Sequence, residues 1–279
     1  AKDELGAGAG IAILGYRLGM LTSGALALYL ADDLPWRTVY LLMAGVMGIG
    51  IAATLLAPEP QTSEAAPKTL AEAVLQPLLD FFHRNGAFEI LTFIIIYKVG
   101  EVMAVTLTTN FMITLGFSLK EISVVTKVFG LAATIIGSLV GGALTARLGM
   151  KRALIIFGLL QGISPLCFAA LSIVGRNLPV MALAVGTENF FVGLATAPFI
   201  AFLMSLCNKR FTATQYALLT SLGAVCRVTA GAPTGFIVEA IGWTPFFIIC
   251  AFASAPALIF IALHYEHWAG CGAEAEARP

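Results

Sequence analysis

Eight stretches of this chain stay apolar for about twenty residues or more, the length a helix needs to cross a bilayer's hydrocarbon core. They run from Ala7 to Ala31, Thr38 to Ala57, Ala87 to Leu115, Ile122 to Ala146, Ala153 to Val174, Leu178 to Leu206, Ala213 to Ile241 and Pro245 to Leu263. Inside lipid no water can satisfy a backbone N–H or C=O, so each stretch must close its own hydrogen bonds as a helix. That constraint predicts an all-α integral membrane protein, folded as a helical bundle. Only 11% of the residues are charged, against about 25% in soluble domains. Net charge is zero, so no overall field draws the chain to nucleic acid, and none is expected as a partner.

Lysine and arginine divide unequally between the two sets of loops. Lys2, Lys68, Arg84, Arg147, Lys151, Arg152, Lys209, Arg210 and Arg278 fall on one side, and Arg37, Lys120 and Arg176 on the other. Positive charge accumulates in cytoplasmic loops, so both termini are expected in the cytoplasm. The long polar stretch from Pro58 to Asn85 separates two spans from six. Its first part is rich in Pro, Glu, Thr and Ser and reads as a flexible linker. Leu70, Val74, Leu75, Leu78, Leu79 and Phe82 then recur at helical spacing, predicting an amphipathic helix on the cytoplasmic membrane surface. The expected division is two helices over 1–57, a cytoplasmic linker with that helix over 58–86, six helices over 87–264 and a cytoplasmic tail over 265–279.

Six ionisable residues lie well inside the apolar stretches: Arg17, Lys98, Glu101, Lys127, Glu188 and Arg227. At about 2.5–3.5 kcal/mol each on insertion scales, they represent about 15–20 kcal/mol gross, before pairing and hydration. Lys98 and Glu101 are three residues apart and share a helix face, which Thr108 and Thr109 continue. Ile96, Met103, Leu107 and Phe111 lie opposite. Two readings of the pair stand side by side: an ion pair that fixes helix orientation, or a proton- or substrate-handling pair in a transporter. Taken as a set, the buried charges favour a proton relay or a cavity for a charged solute, and the excess of cations hints at an anion. Gln161 precedes an expected kink at Pro165 in the fifth span. Gly130, Thr134, Gly137 and Gly141 form a small-residue packing strip, as do Gly15, Gly19 and Ser23.

Nothing in the pattern points to catalysis. His83, His264 and His267 lie outside the spans, no nucleophile–base pair is apparent, and the five cysteines have no metal-ligand spacing. No metal and no cofactor is expected.

The loop Gly142 to Arg152 resembles the inter-helix loop motif of the major facilitator superfamily, with Gly142, Arg147, Gly149, Lys151 and Arg152 matching. Ala146 stands where that motif carries Asp, which weakens a charge-relay role for the loop. Within the superfamily the chain resembles muropeptide permeases of the AmpG type. The stretches that carry this likeness are Gly15 to Met20, Leu55 to Pro60, Tyr97 to Glu101, Glu188 to Phe190, Leu203 to Asn208 and Phe211 to Leu219. The resemblance implies twelve helices in two halves of six. With two spans ahead of the linker, the chain reads as a fragment lacking the first four helices.

It further implies proton-coupled import of anhydromuropeptides, products of cell-wall breakdown, by a monomer in the lipid of the bacterial inner membrane. On that reading Glu101, Lys98 and Glu188 handle protons, Lys127, Arg227, Asn189, Arg17 and Gln215 bind substrate, and the loop from Gly142 to Arg152 gates the conformational change. Two alternatives are a carrier for another bulky anion, such as an acyl-coenzyme A, and an intramembrane transferase.

Overall fold

The computed structural model describes residues 11, 15–16, 18–20, 22–27, 30, 34–57, 69–83, 86–208 and 211–277. All regular structure among them is helical. Seven helical stretches are long and apolar enough to span a membrane. They match the second to eighth expected spans to within three residues at each end, and Leu178–Leu206 coincides with its expectation. The first expected span, from Ala7 to Ala31, lies largely outside the described residues.

The chain divides into two compact units, one of them Ile11–Ala66. It contains a π-helical turn, Thr22–Leu26, and helix α1, Trp36–Leu56. Val39 is the buried residue of α1. A Cβ at Gly15 or Gly19 would meet nothing within 4 Å among the described residues.

The other unit includes the residues from Pro67 onward. It begins with α2 (Leu70–Phe82) and α3 (Ala87–Thr114). A short α4 (Leu119–Ser123), a π-helical segment (Val124–Gly130) and α5 (Leu131–Leu148) form the next span. The fifth expected span is broken: α6 (Met150–Ile163) ends one residue before α7 (Pro165–Val174) begins. Proline lacks the N–H that would continue the ladder. The Gln161 carbonyl freed in this way accepts instead from Ser164 Oγ at 2.8 Å. Helix α8 (Leu178–Leu206) starts with an Asn177 cap whose Oδ1 accepts from the Val180 N–H. Then come α9 (Thr212–Gly231), α10 (Thr234–Ile241), α11 (Trp243–Ala253) and α12 (Ala255–Ala277).

Helices α5 and α8 pack most closely. A Cβ at Gly137 would overlap the Phe190 carbonyl, one at Gly141 the Leu194 carbonyl, and one at Gly193 the Thr134 carbonyl. Lipid offers no hydrophobic drive between helices, so close backbone approach through small residues supplies the contact. At the other end of α5, Gly149 adopts φ 79°, a left-handed conformation that favours glycine at this tight turn into α6.

The apolar stripe on α2 faces away from the rest of the protein. Pro77 and Phe81 are buried, whereas Val74, Leu75, Leu79 and Phe82 are exposed. Helix α12 continues past Leu263 to Ala277. Trp268 anchors it: the indole is fully buried against Phe93, Phe202 and Phe260, and its N–H donates to Glu89 Oε2 at 3.1 Å.

Candidate functional site

Helix α3 carries Lys98 and Glu101 on one face, and Lys98 Nζ donates to Glu101 Oε2 at 2.6 Å. Their side chains retain only 15% and 19% of their free exposure. The pair is therefore tucked inside the helix bundle, while Met103 and Phe111 on the opposite side are buried in the core. Gln161 on α6 donates its Nε2–H to the same Glu101 Oε2, again at 2.6 Å. On the α8 side the ammonium sits 5.0 Å from the Phe199 ring centroid, within cation–π range. Tyr97 stacks on that ring with centroids 5.0 Å apart.

Helices α3 and α11 meet closely here, because a Cβ at Gly100 would overlap the Cys250 carbonyl. Beside Glu101 lies a cavity of about 10 Å³, room for roughly one water, with Tyr97, Gly100, Gln161, Pro165, Cys250 and Ser254 among its lining residues. Glu188 on α8 is 4% exposed, and no hydrogen bond or ion pair to it is found among the described residues. It lies within electrostatic reach of Glu101 and of the Cys167 and Cys250 thiols. A buried ionised carboxylate without partners is costly, so such a group is suited to hold a proton or to wait for a cation.

The remaining sequence-predicted residues do not gather there. Lys127 is exposed and lies in the π-helical segment, a widened turn of the kind that recurs at functional sites. Arg227 on α9 is exposed as well. The Asn189 amide is spent on helix packing: Nδ2 donates to the Val185 carbonyl at 2.9 Å, and Oδ1 accepts from the Thr134 hydroxyl at 3.1 Å. Gln215 is fully buried. Its Nε2 donates to the Pro77 carbonyl at 3.1 Å and to Asp80 Oδ2 at 2.7 Å, and its Oε1 accepts from the Asn208 N–H at 2.7 Å. These bonds staple α2 to the start of α9. Arg17 lies outside the described residues. In the loop, Gly142 is buried, Arg147 and Arg152 are exposed, and Lys151 reaches the Tyr265 ring at 5.8 Å.

Sequence reasoning noted Gln161 as a polar residue before a kink and gave it no role. Its signal was there, since an amide inside a span needs a partner. The sixty residues separating it from Glu101 concealed which partner it finds.

A helical bundle with seven membrane-spanning stretches and a buried polar cluster describes a multi-pass membrane protein, and its family can be stated. The family model of the Major Facilitator Superfamily matches residues 1–231, and the chain belongs to that family. It is 51% identical over 261 residues to the anhydromuropeptide permease of Escherichia coli K12, an alignment covering 93% of this chain and 53% of that protein. An uncharacterized protein of Haemophilus influenzae is 37% identical over 271 residues, with 93% of this chain and 64% of that protein covered. A putative transporter of Rickettsia felis, AmpG 4, is 32% identical over 257 residues, covering 90% of this chain and 62% of the relative. The chain thus spans about half the length of the E. coli permease.

Proposed function

We propose that this chain is part of a proton-coupled transporter that imports anhydromuropeptides across the bacterial inner membrane for cell-wall recycling. The observation that carries the proposal is the 51% identity to the E. coli permease along 93% of this chain. The chain supplies residues 1–57 as two helices of an N-terminal half, 58–86 as the cytoplasmic linker and 87–264 as a six-helix half. Both termini are cytoplasmic, and the transporter works as a monomer.

The chemistry of coupling falls to Lys98 and Glu101. While the pair is closed at 2.6 Å, the two opposite charges offset one another inside the bundle. When solute or a rocking of the bundle draws Lys98 away, Glu101 takes up a proton, and re-forming the pair expels it. Alternating access supplies the movement. Glu188, buried and unpartnered among the described residues, is a second proton-holding group. Lys127 and Arg227 offer their exposed cations to carboxylates of the solute, and the loop from Gly142 to Arg152 gates the change of state.

The test is uptake of radiolabelled anhydromuropeptide into vesicles containing the protein, with acyl-coenzyme A as competitor. Competition by unlabelled anhydromuropeptide and none by acyl-coenzyme A is the expected result. Accumulation of the acyl-coenzyme A instead would assign the protein to another bulky anion.

A further inference from the structure

Glu101 Oε2 has two donors, Lys98 Nζ and Gln161 Nε2, both at 2.6 Å. Oε1 has none among the described residues. The two donors respond differently to a proton on Glu101. Lysine has three N–H donors and no acceptor, so a proton on Oε1 removes the ionic part of its hold on the carboxyl, and a proton on Oε2 meets no acceptor on it. A carboxamide has a donor end and an acceptor end. A proton on Oε1 leaves Oε2 a carbonyl oxygen that still accepts the Gln161 N–H. A proton on Oε2 is met by the carboxamide oxygen after a flip.

The position of Gln161 gives this contact mechanical meaning. Gln161 occupies the last turn of α6, and its own carbonyl is the one orphaned by Pro165 and taken up by Ser164 Oγ. Its side chain is buried. A Cβ at the neighbouring Gly162 would overlap Ser254 at the start of α12, so the turn has little room to shift on that side.

We propose that Gln161 is a positioning residue that holds Glu101 in both protonation states, so that protonation releases Lys98 and leaves the α3–α6 contact in place. The inference rests on the coupling role given to Glu101 above. A proton from the medium binds the carboxylate, Lys98 keeps its own proton, and the cluster gains one positive charge. That freed ammonium, left against the Phe199 ring, attracts an anionic solute, which binds proton and anion together. The other titratable groups around Glu101 are Tyr97 on its own helix, Glu188 on α8, Cys226 on α9 and Cys250 on α11. None lines the cavity from α6 or α12.

The experiment compares two activities of the same vesicles: anhydromuropeptide uptake driven by a proton gradient, and counterflow exchange without one. Gln161→Met keeps the length of the side chain and loses its polarity. Gln161→Asn keeps the amide and leaves space for a bridging water in the adjoining cavity. The expected ratio of driven uptake to counterflow falls about tenfold in Gln161→Met, a loss matching about 1.4 kcal/mol, and less in Gln161→Asn. A packing role gives the reverse order, because Met fills the site better, or lowers both activities together; either result overturns the inference. If Gln161→Met shows no counterflow, Gln161→Asn decides: a reduced ratio supports the proposal and an unchanged one overturns it. Glu101→Gln is run alongside. If that variant still concentrates solute, the coupling role of Glu101 fails. If it does not, while the Gln161 variants keep the native ratio, only the present inference fails.

Discussion

A lysine and a glutamate three residues apart can pair on any helix, and on a solvated surface the bond contributes little. What sets Lys98 and Glu101 apart is their setting: a bilayer-depth helix, a second donor from α6, an aromatic ring under the ammonium and a one-water cavity alongside. There the charges are poorly screened, and breaking the pair without a compensating proton costs more than it would in water. Lys127 and Arg227 differ in kind, since both present exposed cations. Replacing either with Gln is expected to raise the transport KM for an anionic muropeptide by about tenfold, the loss of one charge-assisted contact, and to change it little for a neutral analogue. Transport kinetics with the two solutes side by side check this, and an equal effect on both contradicts it.

At the scale of helices, close packing and capping are held by specific side chains. Gln215 bonds α2 through Pro77 and Asp80, and the entrance to α9 through Asn208. Gln215→Leu keeps the volume and removes all three bonds. It is expected to lower stability by about 1–3 kcal/mol and to expose the 69–83 segment to protease, measured by thermal unfolding and limited digestion in detergent. Unchanged digestion contradicts the clamp. Much at this scale was legible in the sequence. Apolar length marked every span that the described residues contain, and the glycines at 137 and 141 marked the closest helix contact. Periodicity reveals that α2 is amphipathic, not which neighbour its other side meets: Val74, Leu75, Leu79 and Phe82 stay exposed, while the Pro77 carbonyl bonds Gln215 of α9. Helix α12 outran its apolar stretch because one tryptophan, five residues beyond Leu263, found an aromatic pocket built from α3 and α8.

For the whole molecule, the apolar stretches predicted a helical membrane bundle, the loop from Gly142 to Arg152 carried the resemblance to the major facilitator superfamily, and the family match bears that out. The candidate site was half legible. Lys98 and Glu101 could be paired from their spacing alone, because a helix brings residues three apart together. Gln161 and Phe199 could not, because only tertiary packing joins α3, α6 and α8. Gln215 and Asn189 looked like ligands by residue type and are occupied by packing bonds. The central claim is that solute and proton move together, with Glu101 as the group that couples them. Its most direct test is the external pH of lightly buffered vesicles containing the protein, recorded as anhydromuropeptide is added with no gradient imposed. The account predicts that the medium turns alkaline in step with solute entry, and that Glu101→Gln abolishes the pH change while exchange of labelled for unlabelled solute continues. Solute entry with no movement of protons, or proton movement that survives in Glu101→Gln, would contradict it.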